Sequence, residues 1–205
     1  MVWSKKRMVT WGICIVFPAM VTGCATVDRK VNVFYQPVVH GPGGSGEIYV
    51  AVTGGQPRLP GKTAVQWVVG KVKTRDGEKT GDVVMTNAPD DLAMDAFKQE
   101  LTAAGYKVMP VDALPEEVTK GVGIAGATVE LDETSDFIKS EGISRLSVSV
   151  ELWKNGRKFK KLDYKSMLSD FAIKDRDRLL PTLLQKALQE VMKQAIPEIV
   201  RALEG

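Results

Sequence analysis

The spacing of apolar and polar positions predicts strands, a helix, more strands and a long closing helix. Ile48, Val50 and Val52 share one side of a strand beginning at Glu47. Residues 67–73 and 82–86 read as two strands around Arg75-Asp76-Gly77-Glu78, and an Asp-Gly pair between alternating runs marks a hairpin. Residues 87–104 predict the first helix. Asn87 is placed to cap it, Pro89 sits in the first turn, and Asp90 and Asp91 lie at its positive end. Ala93, Phe97, Leu101 and Ala104 recur at helical spacing as one buried face, and Gly105 stops the helix. Tyr106-Lys107-Val108-Met109 leaves as a strand, and residues 110–120 form a connection with a helical turn at Pro115–Val118.

Long strands follow. Val122, Ile124, Ala127 and Val129-Glu130-Leu131 mark one, and Leu146, Val148, Val150 and Leu152 alternate with polar residues in the next. Asn155-Gly156 is a type I′ turn signal, with a return strand from Arg157 through Phe159, Leu162, Tyr164 and Met167 to Phe171. A helix from about Asp175 to Leu203 closes the chain. Pro181 fits its start, and Pro197 is expected to kink or restart it. Its apolar stripe is too wide for a coiled-coil seam and suits a helix lying across a sheet. The expected class is α+β: an antiparallel or mixed sheet with two helices packed on one face, the long C-terminal helix being one of them.

The first 46 residues break this pattern. Lys5, Lys6 and Arg7 precede a mostly apolar run from Met8 to Val21, and small residues lead to Cys24, the order of a secretory signal peptide. A membrane span needs about 20 apolar residues; this run is shorter, contains Pro18 and has no basic cluster after it. Val21-Thr22-Gly23-Cys24 resembles the lipobox of bacterial lipoproteins, which implies cleavage between Gly23 and Cys24 and acylation of the new terminal cysteine. Residues 25–46 read as a tether. Within it Val31, Val33 and Tyr35 alternate as a short strand that can pair with the domain, and His40–Gly46 is expected to be mobile. The expected division is residues 1–23 signal peptide, 24–46 lipidated cysteine and flexible tether, and 47–205 a single periplasmic domain.

Removing residues 1–23 changes the charge. The full chain has 28 basic and 25 acidic side chains, and the leader carries three basic ones, so the mature chain is balanced at 25 of each. No basic excess remains to hold nucleic acid. Cys14 leaves with the leader and Cys24 carries lipid, so no disulfide or thiol ligand is expected, and no cofactor is implied.

Four motifs invite chemistry. Gly61-Lys62-Thr63 lacks the glycine five residues upstream that a phosphate-binding loop requires, and Pro57 and Pro60 remove two amides. Glu130, Asp132, Glu133 and Asp136 are the densest acidic cluster, but they lack calcium-loop spacing and read as a strand end facing water. His40 has no cysteine or second histidine with which to build a zinc site. Lys154, Arg157, Lys158, Lys160, Lys161 and Lys165 gather on one hairpin as a candidate patch for an anionic partner, an envelope protein or an anionic lipid. The plainer account of those lysines is protection of a sheet edge.

Taken together, the lipobox, the Asp76-Gly77 turn, the helix ending Ala104-Gly105-Tyr106, the Asn155-Gly156 hairpin and the long terminal helix resemble the YajG family of bacterial lipoproteins over about residues 47–203. The helix–Gly-Tyr–strand unit is also similar to one in envelope lipoproteins of the CsgG, LpoB and LptE types. The resemblance implies a periplasmic domain tethered to the outer membrane and brings no catalytic residues. Ala25 is not the aspartate that resembles an inner-membrane retention signal, which agrees with the outer membrane. The expected role is a non-enzymatic binding or accessory module of the envelope. The alternatives are an accessory subunit of a lipid or lipopolysaccharide transport or assembly complex and, third, an enzyme acting on periplasmic glycan or lipid.

Overall fold

The computed structural model describes residues 28–39, 43–54 and 66–205. Their centre is a single long strand. β6 (Lys120–Ser135) pairs antiparallel along its whole length with β7 (Ser140–Lys154), which pairs with β8 (Arg157–Ala172). On its other edge β6 is shared. Residues 121–124 pair parallel with β2 (Glu47–Val52), which continues to β5 (Lys107–Pro110). Residues 133–135 pair parallel with β3 (Trp67–Thr74), followed by β4 (Lys79–Met85) and β1 (Arg29–Val31). The sheet is therefore mixed and forks along one edge of β6.

Close backbone approach makes the fork. A Cβ on Gly54 would stand 1.9 Å from the Ala125 carbonyl oxygen, and one on Gly70 would stand 1.7 Å from that of Leu131. Neither position can take a side chain without displacing backbone. In the stretch of β6 between the two pairings, the Ala127 amide donates to Asp90 Oδ1 at 2.6 Å. Asp90 thus serves the sheet as well as the positive end of its own helix.

Helices α1 (Pro89–Ala103) and α2 (Leu179–Glu204) cover one face, α1 over β2, β5 and β6 and α2 over β7 and β8, and they touch each other. Strand alternation explains the core. Leu146, Val148, Val150 and Leu152 of β7 point to the helices and are buried, with polar residues between them on the open face. In β6 a bulge between Ile124 and Gly126 resets the phase, so the inward set passes from Val122 and Ile124 to Val129, Leu131 and Glu133. The Asn155-Gly156 turn has positive φ at both residues (52° and 72°), as type I′ requires.

Three local expectations change. The residue at the N-cap of α1 is Ala88, with no side-chain cap bond, one place after Asn87. α2 starts at Leu179 behind a 3₁₀ turn (Arg176–Arg178) and continues through Pro197 to Glu204. Of the glycine run expected to be mobile, Gly43 and Gly44 donate their amides to the Ala104 carbonyl at 3.1 and 2.9 Å, closing the end of α1; residues 40–42 lie outside the described residues.

At the start of the chain the expected short strand does pair with the domain, at Arg29–Val31, and residues 28–39 as a whole are built into it. Val31 is fully buried in β1, beside β4. The Arg29 guanidinium forks onto Glu133, with Nε to Oε2 at 3.1 Å and Nη2 to Oε1 at 3.2 Å, and it also reaches Asp177. Six residues on, the Tyr35 hydroxyl donates to Glu100 of α1, and the same carboxylate accepts the Val38 and Val39 amides at 2.7 and 3.0 Å. Burial and this carboxylate push the Tyr35 hydroxyl far above its ordinary pKa. Glu100 and Glu133 are each 0% exposed.

At the opposite end of the sheet Glu204 joins the end of α2 to the rest. It accepts Lys120 Nζ at 2.7 Å, the Ser45 hydroxyl at 3.1 Å and the Ser45 amide at 3.2 Å. A carboxylate at a helix C-terminus meets the negative dipole end, and Lys120 more than offsets this, holding the Glu204 carboxyl down from 4.5 to about 2.

Two outcomes follow. Glu133→Ala leaves the partly buried Arg29 charge only the exposed Asp177 as an ion-pair partner and is expected to cost about 3 kcal/mol in urea unfolding. Glu130→Ala on the open face should cost under about 1 kcal/mol, and equal losses would contradict the alternation described. For Glu204, the ionised form is favoured by folding, so its contribution is complete above pH 4.5 and fades as pH falls through about 2. Carboxyl NMR should find this midpoint moved back towards 4.5 in Lys120→Met.

Candidate functional site

Strand geometry distributes the charged candidates instead of gathering them. In the acidic cluster, Glu130 and Asp132 stand on the open face, where Arg145 reaches them at 3.2 and 3.4 Å. Glu133 points the other way, into the core against Arg29, which corrects the reading of all four acids as a water-facing strand end. Asp136 lies in the β6–β7 turn and accepts the Ile138 and Lys139 amides at 2.8 and 2.7 Å; these bonds hold its carboxyl below the ordinary range. The four acids therefore serve three separate places. Among the described residues, no group of three or more His, Cys, Asp or Glu is placed to hold a metal.

The basic hairpin divides in the same way. Lys160 faces α2, where its Nζ lies 2.8 Å from Glu198 Oε1, and the Tyr164 hydroxyl donates to the same carboxylate at 3.1 Å. Lys160 is the main cause of the lowered Glu198 carboxyl. Lys158 pairs with Glu151 at 3.1 Å. Lys154, Arg157, Lys161 and Lys165 form no ion pair among the described residues. Of the six residues, four are thus available to an anion, spread along β7 and β8. The turn itself is buttressed: the Gly156 amide donates to the Val118 carbonyl at 2.7 Å, and the Asn155 amide to that of Thr119 at 3.1 Å.

β8 pairs only with β7 among the described residues, so its outer edge is open over Arg157–Ala172. Tyr164 is its one buried residue. Lysines along such an edge discourage pairing with another strand, and the same edge is also the surface a binding partner would meet.

Apolar exposure concentrates elsewhere. Phe137 and Ile138 form the apex of the β6–β7 turn, 99% and 67% exposed, with Phe171 and Ile173 exposed at the end of β8 beside it. A shallow depression of about 580 Å³ opens there between Ile143, Ser169 and Phe171, with Asp132 and Glu141 at its wall. The sequence reading passed over this end because apolar residues in a turn carry no periodicity.

The expected cleavage and lipidation site at Gly23 and Cys24, the histidine His40 and the Gly61-Lys62-Thr63 loop lie outside the described residues. Among the described residues no helix is long and apolar enough to cross a membrane.

No protein-family model and no curated protein matches the chain. Solved structures give partial likenesses at low identity. A minor lipoprotein from Acinetobacter baumannii is 13% identical, with 65% of this chain and 92% of that one covered and a TM-score of 0.43. A Xanthomonas campestris protein of the DUF330 family is 12% identical, with 86% and 94% covered and a TM-score of 0.49. Rare lipoprotein B from Shewanella oneidensis is 14% identical, with 66% and 98% covered and a TM-score of 0.36.

The split of the hairpin is testable by stability. Lys160→Glu sets two carboxylates against each other and is expected to cost about 1 kcal/mol. Lys165→Glu, with no partner to lose, should stay within about 0.5 kcal/mol of the parent. Equal effects in urea unfolding would contradict this division of the hairpin.

Proposed function

We propose that the chain is a lipoprotein of the bacterial cell envelope, acylated on Cys24 after cleavage between Gly23 and Cys24, acting as a non-enzymatic binding or accessory module. The observation that carries this is the junction of two features. A lipobox-like Val21-Thr22-Gly23-Cys24 closes a basic-then-apolar leader, and folded structure is in place from Asp28, four residues later. One acyl chain holds a protein marginally and two hold it stably, so a fully acylated cysteine is a durable anchor.

The arrangement of the acids supports a non-enzymatic role. Arg145, Arg29 and backbone amides occupy the carboxylates that a general acid–base pair would need free. The ordered motifs that resemble the YajG family support the outer membrane as the location, as does Ala25 after the cysteine. A second reading, an accessory subunit of a lipid or lipopolysaccharide transport or assembly complex, is favoured by the open edge of β8. That edge offers a ladder of backbone groups with Lys161 and Lys165 beside it.

One preparation tests both. The protein is crosslinked in cells, purified from membranes and analysed by mass spectrometry, with Cys24→Ala in parallel. The expected N-terminal peptide starts at acylated Cys24, and Cys24→Ala stays unprocessed. An unmodified Cys24 in the mature protein overturns the assignment. A dominant envelope protein crosslinked to β8 selects the accessory subunit, whereas glycan or lipid turnover products would select an enzyme.

A further inference from the structure

The four exposed apolar residues at the β6–β7 end lie at the end of the sheet towards which the start of β1 points. β1 runs parallel to β4, and β4 starts next to the β3–β4 turn, so the first residue of β1 faces the end of the sheet that carries that turn. The β6–β7 turn is at the same end: Thr74 pairs with Ser135, and Arg75 reaches Asp136 at 3.7 Å. Side chains complete the link. Arg29 touches Asp177, and its neighbour Arg176 donates to the carbonyls of Asp136 and Phe137 at 2.8 and 2.9 Å.

The length of chain beyond Asp28 then sets a limit. Four residues from Cys24 span at most about 14 Å even when fully extended. The acylated cysteine therefore stays within about 14 Å of Asp28, whose neighbour Arg29 pairs with Glu133, two residues before the end of β6. The Asn155-Gly156 turn is at the other end of β7, whose 15 residues extend about 45 Å at 3.3 Å each.

The apolar apex is also held rigidly. Asp136 bonds both amides of the Ile138-Lys139 step, its own amide donates to the Lys139 carbonyl at 2.9 Å, and Arg176 fastens the turn from beneath. Two large apolar side chains are thus presented outward from a fixed turn. Beside Ile173, Lys174 and Arg178 form no ion pair among the described residues, with Asp175 between them. Isolated exposed apolar residues are ordinary on protein surfaces, but a group at one end, with cations on long stems beside it, matches the interface of a bilayer, where such stems snorkel.

Resting on the acylation of Cys24 proposed above, we propose that this end is a membrane-docking surface. Phe137 and Ile138 enter the headgroup–acyl boundary of the bilayer that holds the lipid anchor, with Phe171 and Ile173 beside them. The domain then stands with its sheet upright on the membrane and its basic hairpin directed away. The anchor supplies retention and the apex supplies orientation. The anion met by Lys154, Arg157, Lys161 and Lys165 is accordingly not a headgroup of the same bilayer.

The test uses the full acylated chain in vesicles of phosphatidylethanolamine and phosphatidylglycerol. Cys14 is removed with the leader and Cys24 is blocked by lipid, so one introduced cysteine takes a polarity-sensitive fluorophore at Ile138→Cys, Phe171→Cys or Arg157→Cys. A blue shift and quenching by bromine-labelled acyl chains are expected at 138 and 171 and absent at 157. Acylated protein whose label at 138 is as wet and unquenched as that at 157 overturns the docking surface while leaving the anchor intact. An unacylated Cys24 in the same preparation removes the anchor and the docking surface together. Quenching at 157 with none at 138 reverses the orientation and equally rejects the proposal.

Discussion

Two carboxylates set into apolar stripes decide how this domain is assembled. Glu133 follows Val129 and Leu131 on the inward side of β6, and Glu100 lies between Phe97 and Leu101 on the buried side of α1. A charge so placed must find a partner or neutralise. Both partners come from the same short segment: Arg29 forks onto Glu133, and Tyr35 with the Val38 and Val39 amides closes on Glu100. Removing the segment would leave two uncompensated acids in the core. Residues 28–39 are therefore a structural part of the fold, and the sheet and the first helix are joined through them.

This constraint governs the geometry of attachment. An anchored domain on a long glycine-rich tether samples many orientations, because each added flexible residue lengthens its reach. Here residues 29–39 of the expected tether are held by β1 and the Glu100 network. A cysteine four residues before Asp28 leaves little slack. With Cys24 acylated as proposed, the end of the sheet nearest Asp28 would be held close to the anchor.

The sequence was informative wherever a period or a turn motif carried the structure. The Asp76-Gly77 and Asn155-Gly156 hairpins, the alternation in β7 and the wide stripe of α2 all reappear at their places. What escaped was information held in the phase of a pattern. Continuing the alternation past Val129 and Leu131 places Glu133 inward, and continuing α1 by threes and fours from Phe97 places Glu100 inward, but Glu133 is read from its charge instead of its position and Glu100 lies in a stripe singled out only for its apolar members. The fork of β6 was illegible for another reason. It depends on Gly54 and Gly70 meeting carbonyls of a strand many residues away, and a glycine in a strand announces a close approach without naming its partner.

The same difference in kind separates the two candidate surfaces. The basic hairpin was visible as composition, and folding weakened it as a single site by sending Lys160 to Glu198 and Lys158 to Glu151. The apolar end was invisible as composition, since Phe137-Ile138 and Phe171 with Ile173 lie more than thirty residues apart in sequence. Only the return of β8 beside the β6–β7 turn brings them together. Charges along a strand alternate between its two faces, so a linear run of lysines overstates the surface it makes. Turn residues and strand ends point outward together, so a few scattered apolar residues understate it. On the proposed acylation of Cys24, the surface nearest the attachment is the one it would constrain most, and Phe137, Ile138, Phe171 and Ile173 are exposed at that end.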